Sequence, residues 1–229
     1  MKYILNFFSH NWYSILYFNF RMLPFSQAIK LPFDFYHKIK FNDLSGKVVL
    51  NTSNLRRGMF KLGAQGSDMF SSNSFVLDLK GTLKLNGHIS VGIGCTIRVE
   101  EKGVLELEDN VVIGARSLVL CEESVLIKNN TITSWDCQIM DTDTHSIIDV
   151  KSNEVFSRSK PIVIGESCWL GNKVLVNKGT LLPNNTIVAS FSLCNRDYTQ
   201  FINQFSILAG VPAKLVSSDK RMFGDKLGV

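Results

Sequence analysis

In the run Asp141-Thr-Asp-Thr-His145-Ser, an imidazole follows two carboxylates at short spacing. Imidazole titrates close enough to neutrality to take a proton from a hydroxyl. Used as a general base, it contributes roughly 10²–10⁴-fold in rate. A neighbouring carboxylate can fix its tautomer and stabilise the imidazolium. His145 is therefore the candidate catalytic residue, with Asp141 or Asp143 as its candidate support. Either aspartate could instead hold the loop through local bonds to backbone, and the sequence does not choose between them. Metal chemistry has little to draw on. Only His88 and His145 fall in the repeat region described next, one short of a three-histidine zinc site. The five cysteines (Cys95, Cys121, Cys137, Cys168 and Cys194) are odd in number, widely spaced and without a CxxC pair. That fits neither a disulfide framework nor a zinc site, and points to free thiols in a reducing compartment. No metal is expected.

Something must hold that loop, and the surrounding sequence supplies a six-residue period. Ile164, Leu170, Val176, Leu182 and Val188 recur every sixth residue, and four residues after each come Cys168, Val174, Thr180, Thr186 and Ser192. The same count runs through Leu85, Val91 and Ile97, then Leu107, Ile113 and Val119, then Ile127, Thr133 and Ile139. Cys95, Val111, Ser117, Thr131 and Cys137 fill the small slots. Neither a helix nor a plain strand alternation has this period; it is the mark of a solenoid of short strands and tight corners. Three hexads make one triangular coil, with coils stacked about 4.8 Å apart. The fold class is all-β, a parallel β-helix.

Residues 140–161 break the rhythm with a polar, mixed-charge insertion that closes at Pro161. Insertions of this kind are thrown out from one face of a repeat protein, often the binding face. Trp135 and Trp169 fall on outward positions, where a tryptophan can wall a ligand or bury itself at a subunit contact. Before the coil, residues 1–46 form an aromatic-rich lead-in; the coil is expected over 47–216, and 217–229 form a charged tail or short helix. The segment from Met1 to Phe20 is too polar to span a bilayer and lacks a signal-peptide cleavage pattern. Two readings remain for it: a helix packed on the coil or a neighbouring subunit, or interfacial membrane attachment through aromatics flanked by Lys2 and Arg21. The net charge of +5 comes without a run of Lys and Arg, so nucleic acid is not an expected partner.

The period, the Asp141-Thr-Asp-Thr-His145-Ser-Ile loop, the run Pro161-Ile-Val-Ile-Gly-Glu-Ser-Cys-Trp-Leu-Gly171 and the late Ala209-Gly-Val-Pro-Ala-Lys214 together resemble the hexapeptide-repeat acyltransferases. Within that family the likeness is to bacterial O-acetyltransferases of surface polysaccharides. The resemblance implies a left-handed coil, an exception to the usual crossover hand, and a homotrimer with acetyl-CoA as co-substrate in a groove between subunits. It implies transfer from the thioester to a saccharide hydroxyl, with His145 as base. Asn172, Ala189, Ser190 and Ser192 would then line the coenzyme groove with backbone groups beside Trp169, with Asn195, Arg196 and Lys214 near the nucleotide end. Two departures stand out. Ala189-Ser190-Phe191-Ser192 replaces a Gly-Ala-Gly-Ser run, so Phe191 obstructs close backbone approach. Arg116-Ser117-Leu118 stands where relatives place an acceptor-binding asparagine, leaving Arg116, with Trp135, as the candidate acceptor contacts. N-acetylation of an amino sugar and a non-catalytic scaffold are the alternatives. A cytoplasmic location is expected, with the aromatic N-terminus as a possible contact to the inner face of the membrane.

Overall fold

Each hexad turns its aliphatic residue inward on a short strand and then bends, so the chain winds into a three-sided coil. The computed structural model describes residues 10–52, 54–64, 69–70 and 74–222. Its three long sheets have nine, seven and six strands. Within each, apart from the last strand of the nine, a strand pairs in parallel with the strand one coil earlier and the strand one coil later. On the first face the stack Val91, Ile113, Thr133, Leu170, Val188 and Leu208 runs in register. On the second it is Leu77, Ile97, Val119, Ile139, Val176 and Cys194. On the third, Leu85, Leu107, Ile127, Ile164 and Leu182. All of these are buried. The expected period and its inward residues are therefore the core.

The small slots lie at the corners, where backbone turns past the core. Thr131, fully buried, donates its hydroxyl to the Gly165 carbonyl at 2.7 Å and accepts from the Cys168 amide at 3.1 Å. Cys95, Cys137 and Cys168 occupy the same kind of slot, and all five cysteines are buried and free.

The coil begins earlier than Lys47. Phe33–Phe35 already pairs with Phe60–Ala64, and Ile39–Asp43 with Phe75–Leu79. The first turns are cored by aromatics: Phe18 meets Phe33 and Phe35 at 4.8 and 5.1 Å between ring centroids. Helix α1 (Trp12–Met22) closes this end. Its buried Asn19 receives the Phe33 amide at 3.1 Å and donates to the Phe33 carbonyl at 2.9 Å. At the other end Ala213–Ser217 folds back antiparallel on Ile207–Gly210. The chain is irregular from Ser218 to Met222, and the helix expected in the tail otherwise falls on residues 223–229, outside those described.

Replacing Thr131 by Val keeps the shape and orphans a buried amide and carbonyl, which costs about 1–3 kcal/mol. Urea denaturation of Thr131→Val is expected to show that loss, and an unchanged midpoint would remove Thr131 from the corner network.

Candidate active site

The inserted loop leaves the edge between the second and third faces, after Gln138–Met140 and before Ile162–Ile164. Its first residue decides how it sits. Asp141 is fully buried and accepts from the amides of Glu122, Glu123 and Ser124 at 2.7, 2.8 and 2.7 Å. Burial pushes its carboxyl above the ordinary value, against the pull of those three amides. Asp141 thus clamps the loop to the tight turn one coil earlier.

The rest of the base is tied as firmly. Thr142 donates to Glu122 at 2.7 Å, and the Arg158 guanidinium pairs with the same carboxylate. The Asp143 amide donates to the Arg158 carbonyl at 2.8 Å, and its carboxylate pairs with Lys178, which also donates to the Ser157 carbonyl. Neither aspartate hydrogen-bonds to His145, so the expected carboxylate support is not formed within one chain: both acids are occupied holding the loop. Glu122, Arg158 and Lys178 were not singled out from sequence. Glu122 and Lys178 reach the loop from the coils before and after it, and no local pattern in the sequence links them to it.

His145 itself is exposed, just beyond this clamp, and its ring makes no hydrogen bond or ion pair among the described residues. After it the loop forms a small hairpin, Ile147–Ile148 against Val155–Phe156, with both strands exposed. Beneath the loop lies a cavity of about 730 Å³, lined by Arg98, Lys102, Glu122, Thr142, Thr144 and Arg158 among others. His145 follows Thr144 but does not line it. The size and polarity suit a small polar ligand.

The remaining candidates divide among separate edges. Asn172 and Ser190 share the edge between the first and second faces, hydrogen-bonded to each other at 2.6 Å. Trp169 lies exposed on the first face, its indole N–H donating to Ser134 at 3.2 Å. Asn195 and Arg196 are exposed on the edge that carries the loop, and Lys214 is exposed on the last strand of the first face. Two of the groove candidates are not exposed. Ser192 has a buried side chain that accepts from the Gly210 amide at 3.1 Å, because it occupies an inward small slot, so only its backbone is left to face a groove. Ala189 is half-buried, with its amide in the ladder to Leu208. Arg116 is not a free cation: it forms a two-pronged pair with Asp136 at 2.8 and 2.7 Å and lies over Phe70, which also packs against Trp135. That guanidinium holds the Asp136 carboxyl below its ordinary value.

No protein-family model matches the chain. Over 144 residues it is 26% identical to a protein of Escherichia coli named as a lipopolysaccharide biosynthesis O-acetyl transferase, WbbJ, covering 59% of this chain and 71% of that one. Over 168 residues it is 27% identical to a Mycobacterium tuberculosis protein named as an acetyltransferase, Rv3034c, covering 72% of this chain and about half, 51%, of that one. These relatives join a six-residue period that the structure turns into stacked parallel coils. In sequence the chain is thus similar, over 59% and 72% of its length, to proteins named as acetyltransferases. The polysialic acid O-acetyltransferase OatWY is a solved structure of 20% identity, with 83% of this chain and 93% of that one covered and a TM-score of 0.47.

In an acetyltransferase a cysteine could in principle carry the acyl group. Here desolvation holds the thiols of Cys95, Cys168 and Cys194 at a pKa pushed up to about 12 and that of Cys137 to about 11, and Cys121 is raised as well. A buried thiol that stays protonated is no nucleophile. Dithionitrobenzoate titration is expected to find no fast-reacting thiol in the folded protein and all five after denaturation. One rapid equivalent would reopen a covalent route. The aspartates should separate in stability. Asp141→Ala removes charge-assisted bonds and costs about 1.5–3 kcal/mol, whereas Asp143→Ala loses an exposed pair and costs under about 1 kcal/mol, both read from denaturant midpoints.

Proposed function

We propose that the chain is an acetyl-CoA-dependent O-acetyltransferase that modifies a sugar hydroxyl of a cell-surface polysaccharide or its precursor, with His145 as general base. The observation that carries this is the loop base. Six side chains, four from the loop and Glu122 and Lys178 from the coil, fix its base, yet the one imidazole beyond them is exposed and unbonded among the described residues, as a group kept for a substrate proton would be. The names of the relatives support the class of donor and acceptor.

The chemistry runs by direct transfer. A ring nitrogen of His145 takes the acceptor hydroxyl proton as the oxygen attacks the thioester carbon. The tetrahedral oxyanion collapses, the carbon–sulfur bond breaks, and the departing CoA sulfur receives the proton from the imidazolium. The silent cysteines support this direct route, in which no acyl-enzyme forms. The hairpin supports assembly. Ile147, Ile148, Val150, Val155 and Phe156 are all exposed within one chain, and a two-stranded hairpin with no covered face is marginal in water. A neighbouring copy in a homotrimer would cover it, and could bring to His145 the coenzyme groove and the carboxylate partner missing within one chain. On the edge above the loop, Arg196 offers a charge-assisted donor for a CoA phosphate.

His145→Ala is expected to lower kcat by about 10²–10⁴-fold in a coupled thiol assay with polysaccharide acceptor. CoA binding and oligomeric size should be unchanged. Turnover near the wild-type rate would eliminate His145 as the base, and preference for an amino-sugar acceptor would transfer the reading to N-acetylation.

A further inference from the structure

Helix α1 is apolar on two sides. Ile15 and Phe18 face the coil and are buried, whereas Tyr13, Leu16, Tyr17 and Phe20 form an i, i+3, i+4, i+7 stripe facing away, all exposed, with Tyr13 79% accessible. Phe25 and Ile29, at 73% and 55%, continue the patch into the next turn. A helix apolar all round belongs in a buried or lipid setting. At 11 residues this one is only about 16 Å long, far short of a bilayer core of about 30 Å, and no helix among the described residues is long and apolar enough to cross a membrane.

The charge around it is lopsided. In residues 1–61, Lys and Arg outnumber Asp and Glu nine to two; in the rest of the chain they are outnumbered, sixteen to eighteen. The excess positive charge of the whole protein is thus confined to this end. Arg21, Lys30, Lys38, Lys40, Arg56 and Arg57 are exposed there, while Asp34 is buried and Asp43 is half-buried, its carboxylate accepting from the Ser45 amide. Arg57 reaches α1 itself, lying 4.8 Å from the Trp12 ring centre.

We infer that this end is a docking surface for an anionic membrane, with α1 lying in the interface plane. Tyrosines suit the boundary, having an apolar body and a polar tip, and the surrounding cations add attraction to anionic headgroups. The same patch against a second copy would place like charges together, which favours lipid as the occupant.

The test uses the full-length protein with sedimenting vesicles of phosphatidylcholine, with and without a third of phosphatidylglycerol. Binding is expected only to the anionic vesicles and should weaken as salt is raised. Tyr13→Gln/Tyr17→Gln/Phe20→Gln should lower the bound fraction about tenfold with oligomeric size and melting temperature unchanged. Arg21→Gln/Lys30→Gln should weaken binding to anionic vesicles and leave the aromatic face intact. Wild-type protein that stays in the supernatant, or a triple variant that binds as wild type, overturns the assignment. So does a triple variant of altered oligomeric size, since the stripe would then be a subunit contact.

Discussion

The fold depends on one constraint: every strand of the coil finds its backbone partners only in the turns before and after it. No strand is self-sufficient, so the two ends are exposed edges that would otherwise invite another chain. On the first face both are closed by side elements. At the start Asn19 satisfies both polar groups of Phe33, the edge residue, from helix α1. At the finish the last strand turns back on its predecessor in antiparallel sense. The same constraint governs the side chains on the edges. Asn86 with Glu106, Asn110 with Asn130 and Arg116 with Asp136 are each hydrogen-bonded across one coil, twenty residues apart.

That geometry explains what could be read from the residues alone. From Leu85 onward the inward residues keep their count in runs, broken by longer links after Ile97, Val119 and Ile139, because most corners are short and each hexad is one side of the triangle. The first turns hid the period. Their inward residues are Phe33, Phe35, Phe60 and Phe75, and the long link between Lys47–Leu50 and Phe60–Ala64 breaks the spacing. The site was legible in outline for the same reason. An interruption in a repeat shows where a loop leaves, and His145 is the one imidazole on it. Its surroundings were not legible, since Glu122 meets Arg158 across 36 residues and no local pattern records such a meeting. The inward side chain of Ser192 was legible too, since its place in the hexad is the small slot that Cys168 and Val174 also fill.

The corners differ in what they spend on their turns. Between the third and first faces the left-handed position is filled by Asn110, Asn130, Ser167 and Asn185, mostly the residue that tolerates it best. Between the first and second faces it is filled by Arg116, Asp136, Lys173 and Phe191, with φ of 57 to 60°. Each of these bears a backbone cost of about 1–2 kcal/mol. They are linked along the edge, Arg116 to Asp136 and Lys173 to the Phe191 ring at 5.0 Å. Side chains that long, held in that conformation and reaching outward together, give this edge a surface that asparagines would not.

Stacking also makes the coil a rigid spacer with a fixed step. On the second face the loop departs after the fifth rung, counting from Ile39–Asp43, so four steps of about 4.8 Å place it roughly 19 Å above the terminal turn. Lengthening the chain by one whole turn would raise the loop by a single step and keep it over the same edge. Adding only one hexad would swing it around to the adjoining edge instead. Height and direction are therefore adjustable separately, in discrete amounts, by the number of repeats alone.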